Sequence, residues 1–425
     1  MGFQQGLSGL NGAAKSLDVI GNNIANSTTI GFKGSRTEFA DVYANSLYGA
    51  GASQAGIGSK AAAVAQQFGQ GNLSQTSNPL DVAINGNGFF RMSQGATISY
   101  SRNGQFHLDR EGYVVNSTGQ RLTGLDNSGA LADLQVDFAN AAPNPTTTLS
   151  LGFNLDSRKT AHAVAAPPVA GDFSPTTAAS FDHSTAVTFY DERGNAQTLN
   201  LYFQKTSSND WNVYGSLVNA LGDHVDLAAG TTTIDGTNAY LGSVTYSSAG
   251  LYTNGTGAFA AGGNIAVSAA SLATGAAALA VTPSFSTSTL YGSSFGVTAL
   301  SQNGYTQGNL ANVTVSEDGY VQGRYTNGVT QNLGQITLVT FNNTQGLAPV
   351  GNNQWLETYE SGQPTSAQAP GTGTLGLLQA GAVEESNVDL TAELVNMIVS
   401  QRMYQANAQT IRTQDQILQT LVSLR

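Results

Sequence analysis

Four histidines, one serine motif and one basic pair are the residues of this 425-residue chain whose types suit ordinary active-site chemistry. His107, His162, His183 and His224 are scattered. None has the spacing that puts two imidazoles on one helix face, so no metal site is expected. Gly292-Ser293-Ser294-Phe295-Gly296 has the form of a nucleophile elbow, but that turn needs a helix behind it. Here Val297 onward leads to the turn signal Asn303-Gly304, and in a chain this rich in Ser and Gly the match reads as chance. Lys33 and Arg36 are two cations in an acidic protein and are expected to be solvated. Cysteine is absent, which removes disulfides, zinc thiolates and thiol nucleophiles. No paired carboxylates have supporting context. The expectation is a protein that is not an enzyme and holds no cofactor or metal.

Bulk composition narrows the partners. The formal net charge is −11, and no basic stripe exists to neutralise phosphates, so nucleic acid is excluded as a partner. Charged residues make up only 10% of the chain. The surface must then be largely Ser, Thr, Asn, Gln and Gly, which suits assemblies that pack many neutral faces. No run of about 18 apolar residues is present, so no membrane insertion is expected. The first residues lack the basic and apolar regions of a cleaved secretory signal. Any export is expected to use a route without signal cleavage.

The two ends differ from the middle. From Phe3 the apolar positions run Leu7, Leu10, Ala14, Leu17 and Ile24, with Ala13 and Ile20 widening the stripe. Steps of four and three make the 3.5-residue seam of a coiled-coil-like helix, which should end near Asn26–Gly31. At the other end Leu390, Leu394, Met397, Tyr404, Ile411, Leu418 and Val422 repeat the pattern, with Gln401 and Asp415 as polar insertions. Asn387 or Asp389 is the expected N-cap. The spacing predicts that the two helices pair along these seams, with Ile20, Ile398, Leu421 and Leu424 left over for neighbouring copies.

Between the ends the apolar period becomes two. Leu149, Leu151, Phe153 and Leu155 alternate with polar residues; so do Val187/Phe189, Leu199/Leu201/Phe203 and Trp211/Val213. Turn signals at 191–195 and 207–210 separate them, and a second meander follows at 313–325. Residues 226–288 carry few large apolar anchors and read as the least constrained part. The expected fold is α+β and mainly β: a terminal coiled-coil-like helical domain plus two nested antiparallel β domains, elongated. Residues 1–30 and 386–425 form the helical assembly domain, with connectors at 31–71 and 372–385. An inner β domain takes 72–146 and 301–371, and an outer inserted one takes 147–300.

Four segments resemble the bacterial flagellar rod–hook axial family, and the set is most similar to its hook branch. The first is 17–33, LDVIGNNIANSTTIGFK, with Asn22, Asn23, Asn26, Gly31, Phe32 and Lys33. The second is 78–90, NPLDVAINGNGFF, with Pro79, Leu80, Asp81, Gly86, Gly88, Phe89 and Phe90. The others are YSRNGQF at 100–106 and the helix at 386–425. The insert of about 150 residues favours the hook over the shorter distal rod subunits. The resemblance implies a subunit that copies of itself join into a hollow, flexible tube, a universal joint carrying torque from rod to filament. It implies export by the flagellar type III apparatus, growth beneath a hook cap, and contact with rod and hook–filament junction proteins. A secreted β-rich adhesin is the alternative from another class.

Overall fold

The computed structural model describes residues 2–42, 58–164, 168–169, 171–225, 227, 232–233 and 238–423. The chain divides into two compact units, one of residues 1–138, 312–324 and 330–425 and the other of 139–311 and 325–329.

The first unit holds both long helices. Helix α1 spans Gly2–Ala25, about 36 Å at 1.5 Å per residue. Five of its residues are Gly, and each costs about 1 kcal/mol of helix stability against Ala. Local propensity therefore does not hold α1; packing does. Strands β1 (Ser35–Val42) and β2 (Gly58–Gln66) pair antiparallel as a ribbon beside it. Phe39 lies against Gly12, and Ser59 N donates to Ser8 Oγ. Segment 31–71, expected to be a connector, thus carries the two strands of this ribbon; residues 43–57 lie outside the described residues.

The chain then runs through β3 (Leu73–Gln75) and β4 (Val82–Asn85), each in a two-stranded pair of its own, and enters the main sheet at β5 (Phe89–Gln94) and β6 (Thr97–Ser101). Hydrogen-bonded neighbours run Thr330–Ile336, Arg121–Leu125, β5, β6, Gln354–Leu356 and Ala348–Gly351. Phe89, Tyr100, Val339, Phe341, Leu347 and Trp355 form the core on this sheet. Phe89 meets Phe68, Phe341 and Trp355 edge-on, an arrangement worth about 1 kcal/mol per pair beyond burial. The strands Leu377–Ala380 and Ala382–Glu384 return against β4 and β3. They deliver the chain to α3 (Leu390–Ser423). Asp389 caps it, accepting from the amides of Thr391 and Ala392.

Among its described residues the second unit is β apart from the one-turn helix α2 (Ala269–Leu272), two short 3-10 turns and loops. His183–Tyr190, Ala196–Lys205, Asp210–Val218 and Asn238–Tyr246 pair in sequence, all antiparallel. The turns fall where the sequence placed them. Asp191 closes the first by accepting from the amides of Arg193 and Asn195 and the hydroxyl of Thr274. Thr148–Asp156 pairs antiparallel with Gly296–Gln302, and departs from the expectation only in pairing parallel with Leu279–Ser284 and Thr289–Tyr291 as well. Its alternation buries Leu149, Leu151, Phe153 and Leu155. Residues 226–288 are far from anchorless: Leu241, Tyr246, Phe259, Ile265, Leu272 and Phe285 all enter the same core. Single anchors spaced among Gly and Ala hid that contribution.

Candidate assembly interface

The helices α1 and α3 lie side by side and antiparallel, and apart from Ile20 and Ile411 their facing residues are small or polar. The Asn23 amide donates to Glu393 Oε1 at 3.2 Å. Seven residues back on α1 and seven forward on α3, Ser16 Oγ lies 3.4 Å from Ser400 Oγ. After the next such step a Cβ at Gly9 would stand 2.7 Å from Asn407 Nδ2. Gly6 faces Ile411 in the same way, with 3.0 Å left for a Cβ. The heptad step is that of a coiled coil, but the seam on α1 is Gly6, Gly9, Ala13, Ser16, Ile20 and Asn23.

This corrects the expected seam by one residue. Phe3 and Leu7 are 48% and 44% exposed; Leu10, Leu17 and Ile24 are half-buried, not enclosed. Ile20, expected to be spare, is buried within the chain at 7% exposure. On α3, Leu390, Leu394, Tyr404, Leu418 and Val422 are exposed, as are Val395, Ile398, Val399 and Met403. Met397 and Ile411 are half-buried. Large apolar residues thus stand on the open faces of both helices, while close approach between them uses glycine and serine. A cleft of about 480 Å³ between α1, β1 and α3 adds Val19, Val388 and Val399 to the accessible apolar lining. The side chain of Leu421 and all of Leu424 lie outside the described residues.

The motif residues converge beside the helix pair. Asn23 is 2% exposed and clamps Ser35 on both sides: its Nδ2 donates to Ser35 O at 2.8 Å and its Oδ1 accepts from Ser35 N at 2.9 Å. Asn26 Nδ2 donates to Asn22 Oδ1 and O, finishing the helix. Gly31 has φ +71°, and a Cβ there would meet Asn103 N at 2.7 Å. Asn387, expected as a cap, instead accepts from Gly34 N and donates to Gln67 O and Gly69 O. Phe32 is half-buried. In the second motif Asn78 and Asp81 close the turn around Pro79 and Leu80. Gly86 and Gly88 take positive φ, and Phe90 packs edge-on against Phe106.

Lys33 was expected to be solvated; its side chain is fully buried, whereas Arg36 is exposed and meets only Glu38 at the surface. Lys33 Nζ donates to Glu384 Oε1 at 2.6 Å and to Gly69 O at 2.8 Å. Glu384 Oε1 also accepts from Gly71 N, and its Oε2 accepts from Arg102 NH1 at 3.3 Å. Arg102 NH1 reaches Gly86 O as well, with its guanidinium over the Phe89 ring. Burial pulls the Lys33 ammonium below the ordinary lysine range, Glu384 opposes that, and Arg102 adds to it. Burial acts in the same direction on Arg102. Sequence reasoning missed this group, because Lys33 and Glu384 are 351 positions apart. Gly-Phe-Lys at the end of a motif, in a chain with so few cations, was the available signal.

The residues with catalytic types stay apart. His162 meets Asp182, His183 stacks between Trp211 and Phe295, His224 approaches Ser216, and His107 is exposed on another strand. Ser294 precedes the strand Gly296–Gln302, and no helix follows it. Among the described residues no three His, Asp or Glu side chains cluster as metal ligands.

Comparison with known proteins bears on all of these segments. Residues 3–33 match the flagella basal body rod protein family, and 83–152 the flagellar hook protein FlgE/F/G D1 domain. Residues 154–305 match the flagellar basal body protein FlaE D2 domain, and 379–424 the flagellar basal body rod FlgEFG protein C-terminal family. The chain is 41% identical over 437 residues to flagellar hook protein FlgE of Salmonella typhimurium, with 100% of both chains covered. It is likewise 41% identical over 440 residues to that of Escherichia coli, again with 100% of both covered. The similarity extends to Treponema pallidum at 29% identity, covering 99% of this chain and 98% of that one. The solved Helicobacter pylori flagellar hook protein FlgE2 is similar in fold, with a TM-score of 0.50 at 15% identity, covering 72% of this chain and 99% of that one.

Proposed function

The chain belongs to the flagellar hook protein family and is a structural subunit of the flagellar hook; from that premise we propose that its α1/α3 pair joins copies of the chain into a hollow, flexible tube. The observation that carries this reading is the division of labour on the helices. Apart from Ile20 and Ile411 their mutual seam uses Gly, Ala, Ser and Asn, so most of the large apolar residues remain open to other subunits. A contact in which one face of a subunit meets a different face of the next propagates as an open helix wherever the rotation between copies does not close into a ring. Phe3, Leu7, Leu10, Leu17 and Ile24 form one such face; Leu390, Leu394, Ile398, Tyr404, Leu418 and Val422 form the other.

The tube carries torque from rod to filament and bends as a universal joint. Its partners are copies of itself, the rod and hook–filament junction proteins at its ends, and the hook cap during growth. The chain leaves the cell through the flagellar type III apparatus without signal cleavage. It acts mechanically and performs no catalysis. Electron microscopy of purified protein after induced polymerisation tests this: curved hollow tubes are expected. Straight tubes would favour a rod subunit, and absence of any polymer would overturn the reading.

A further inference from the structure

We propose that the buried Lys33–Glu384–Arg102 group is the joint that carries twisting load between the paired terminal helices and the β-sheet of the same unit, with Glu384 as its positioning residue. The proposal rests on reading the chain as a torque-bearing hook subunit. Two chain crossings link the helices and ribbon to the sheet, at residues 67–72 and 385–389, and a third segment, the loop 26–34 between α1 and β1, lies against both; none is a helix or strand. Such segments twist readily unless something pins them.

The group pins all three. Lys33, on that loop, holds the carbonyl of Gly69 on the first crossing. The carboxylate of Glu384, the last residue of the strand before the second crossing, holds Lys33 and the Gly71 amide. Its backbone carbonyl accepts from Gly31 N at 2.8 Å. Arg102, directly after β6, ties the same carboxylate to Gly86 at the end of β4. One side chain thus ties three other segments to its own strand, with side-chain exposures of 0% for Lys33 and Glu384 and 4% for Arg102.

Apolar contacts slide because they are non-directional. Buried opposite charges do not, since separating them in a low dielectric costs steeply. Such a group is a poor choice for stability alone, because desolvation offsets the attraction, and fixing geometry is its best-attested use. The lowered Lys33 ammonium agrees with that balance.

The test compares hooks built from the wild-type chain, Lys33→Arg, Glu384→Gln and the charge-neutral pair Lys33→Met/Glu384→Gln. Torsional stiffness is read from the relaxation of a bead attached to the hook of a stopped motor. Glu384→Gln and the double variant are expected to form tubes whose stiffness falls by roughly twofold or more, with Lys33→Arg close to wild type, because only a directional charged contact resists twist. Unchanged stiffness in the double variant overturns the proposal. Loss of folding or of assembly in both Glu384 variants also overturns it, by assigning the group to folding or to subunit joining. Absence of tubes from the wild-type chain would overturn the hook reading together with this one, whereas wild-type tubes with equally stiff variants overturn the joint alone.

Discussion

Asn23 and Glu393 stand 3.2 Å apart across the helix pair, and the Asn23 side chain is simultaneously locked to both backbone groups of Ser35. One amide therefore sets the register of α1 against α3 and the position of the ribbon against α1. The Ser16/Ser400 and Gly9/Asn407 contacts repeat that register at heptad steps. Polar seam residues of this kind specify alignment at a cost in stability.

The seam needs its small residues. Gly9→Leu would place a side chain where Asn407 already sits, and overpacking of this sort costs about 1–3 kcal/mol. The expected result is a chain whose β units melt as in wild type but which forms no tubes. Normal tube formation by Gly9→Leu would show that the helices do not meet there.

Gly21 gives the converse case. It lies on the open stripe between Leu17 and Ile24, and a Cβ there would meet nothing within 4 Å in the subunit. Gly21→Ala should raise the helical stability of α1 by about 1 kcal/mol. If a neighbouring copy approaches closely along this stripe, the same change weakens tubes, read as a raised critical concentration for polymerisation. A stabilised helix with an unchanged critical concentration would place the copy elsewhere.

The second unit carries a pH-dependent element. Tyr202, Tyr214 and Tyr240 are direct cross-strand neighbours, and Phe173 stacks on Tyr214 at 4.3 Å between ring centroids. Burial pushes the Tyr214 hydroxyl up from 10.0 to about 12. The unfolded chain then loses this proton before the folded one does. The stability contributed is complete below pH 10.0 and is lost as pH rises to about 12. Urea melts of the full chain across that window should show the second unit weakening. Tyr214→Phe should flatten the decline; an identical decline in Tyr214→Phe would assign it to other tyrosines.

The helices and the meander turns were legible because each depends on local pattern. Gly31 and the Asn22–Asn26 run mark a helix end in sequence, and a helix end stands there. The helix face was not legible in the same way. Periodicity gives the spacing of a seam, but assigning Leu7 and Leu17 to the nearest helix assumes that large apolar residues face a partner within the chain. Here that role falls to Gly6, Gly9 and Ser16. Lys33 escaped for another reason: its environment is made by Glu384 and Arg102, which arrive through the fold and not through the local sequence. The core contribution of residues 226–288 was hidden likewise, since Phe259, Ile265 and Phe285 stand singly among Gly and Ala.

The chain has no cysteine, so an introduced thiol reports on its own position alone. Leu7→Cys and Ile398→Cys, each on an open helix face in the subunit, can be reacted with a thiol reagent before and after polymerisation, with Tyr359→Cys on a fully exposed turn as the reference. Burial at the core of a subunit interface predicts that both helix thiols react roughly tenfold or more slowly in tubes than in monomers, relative to position 359. Equal rates in the two states at positions 7 and 398 would contradict the account.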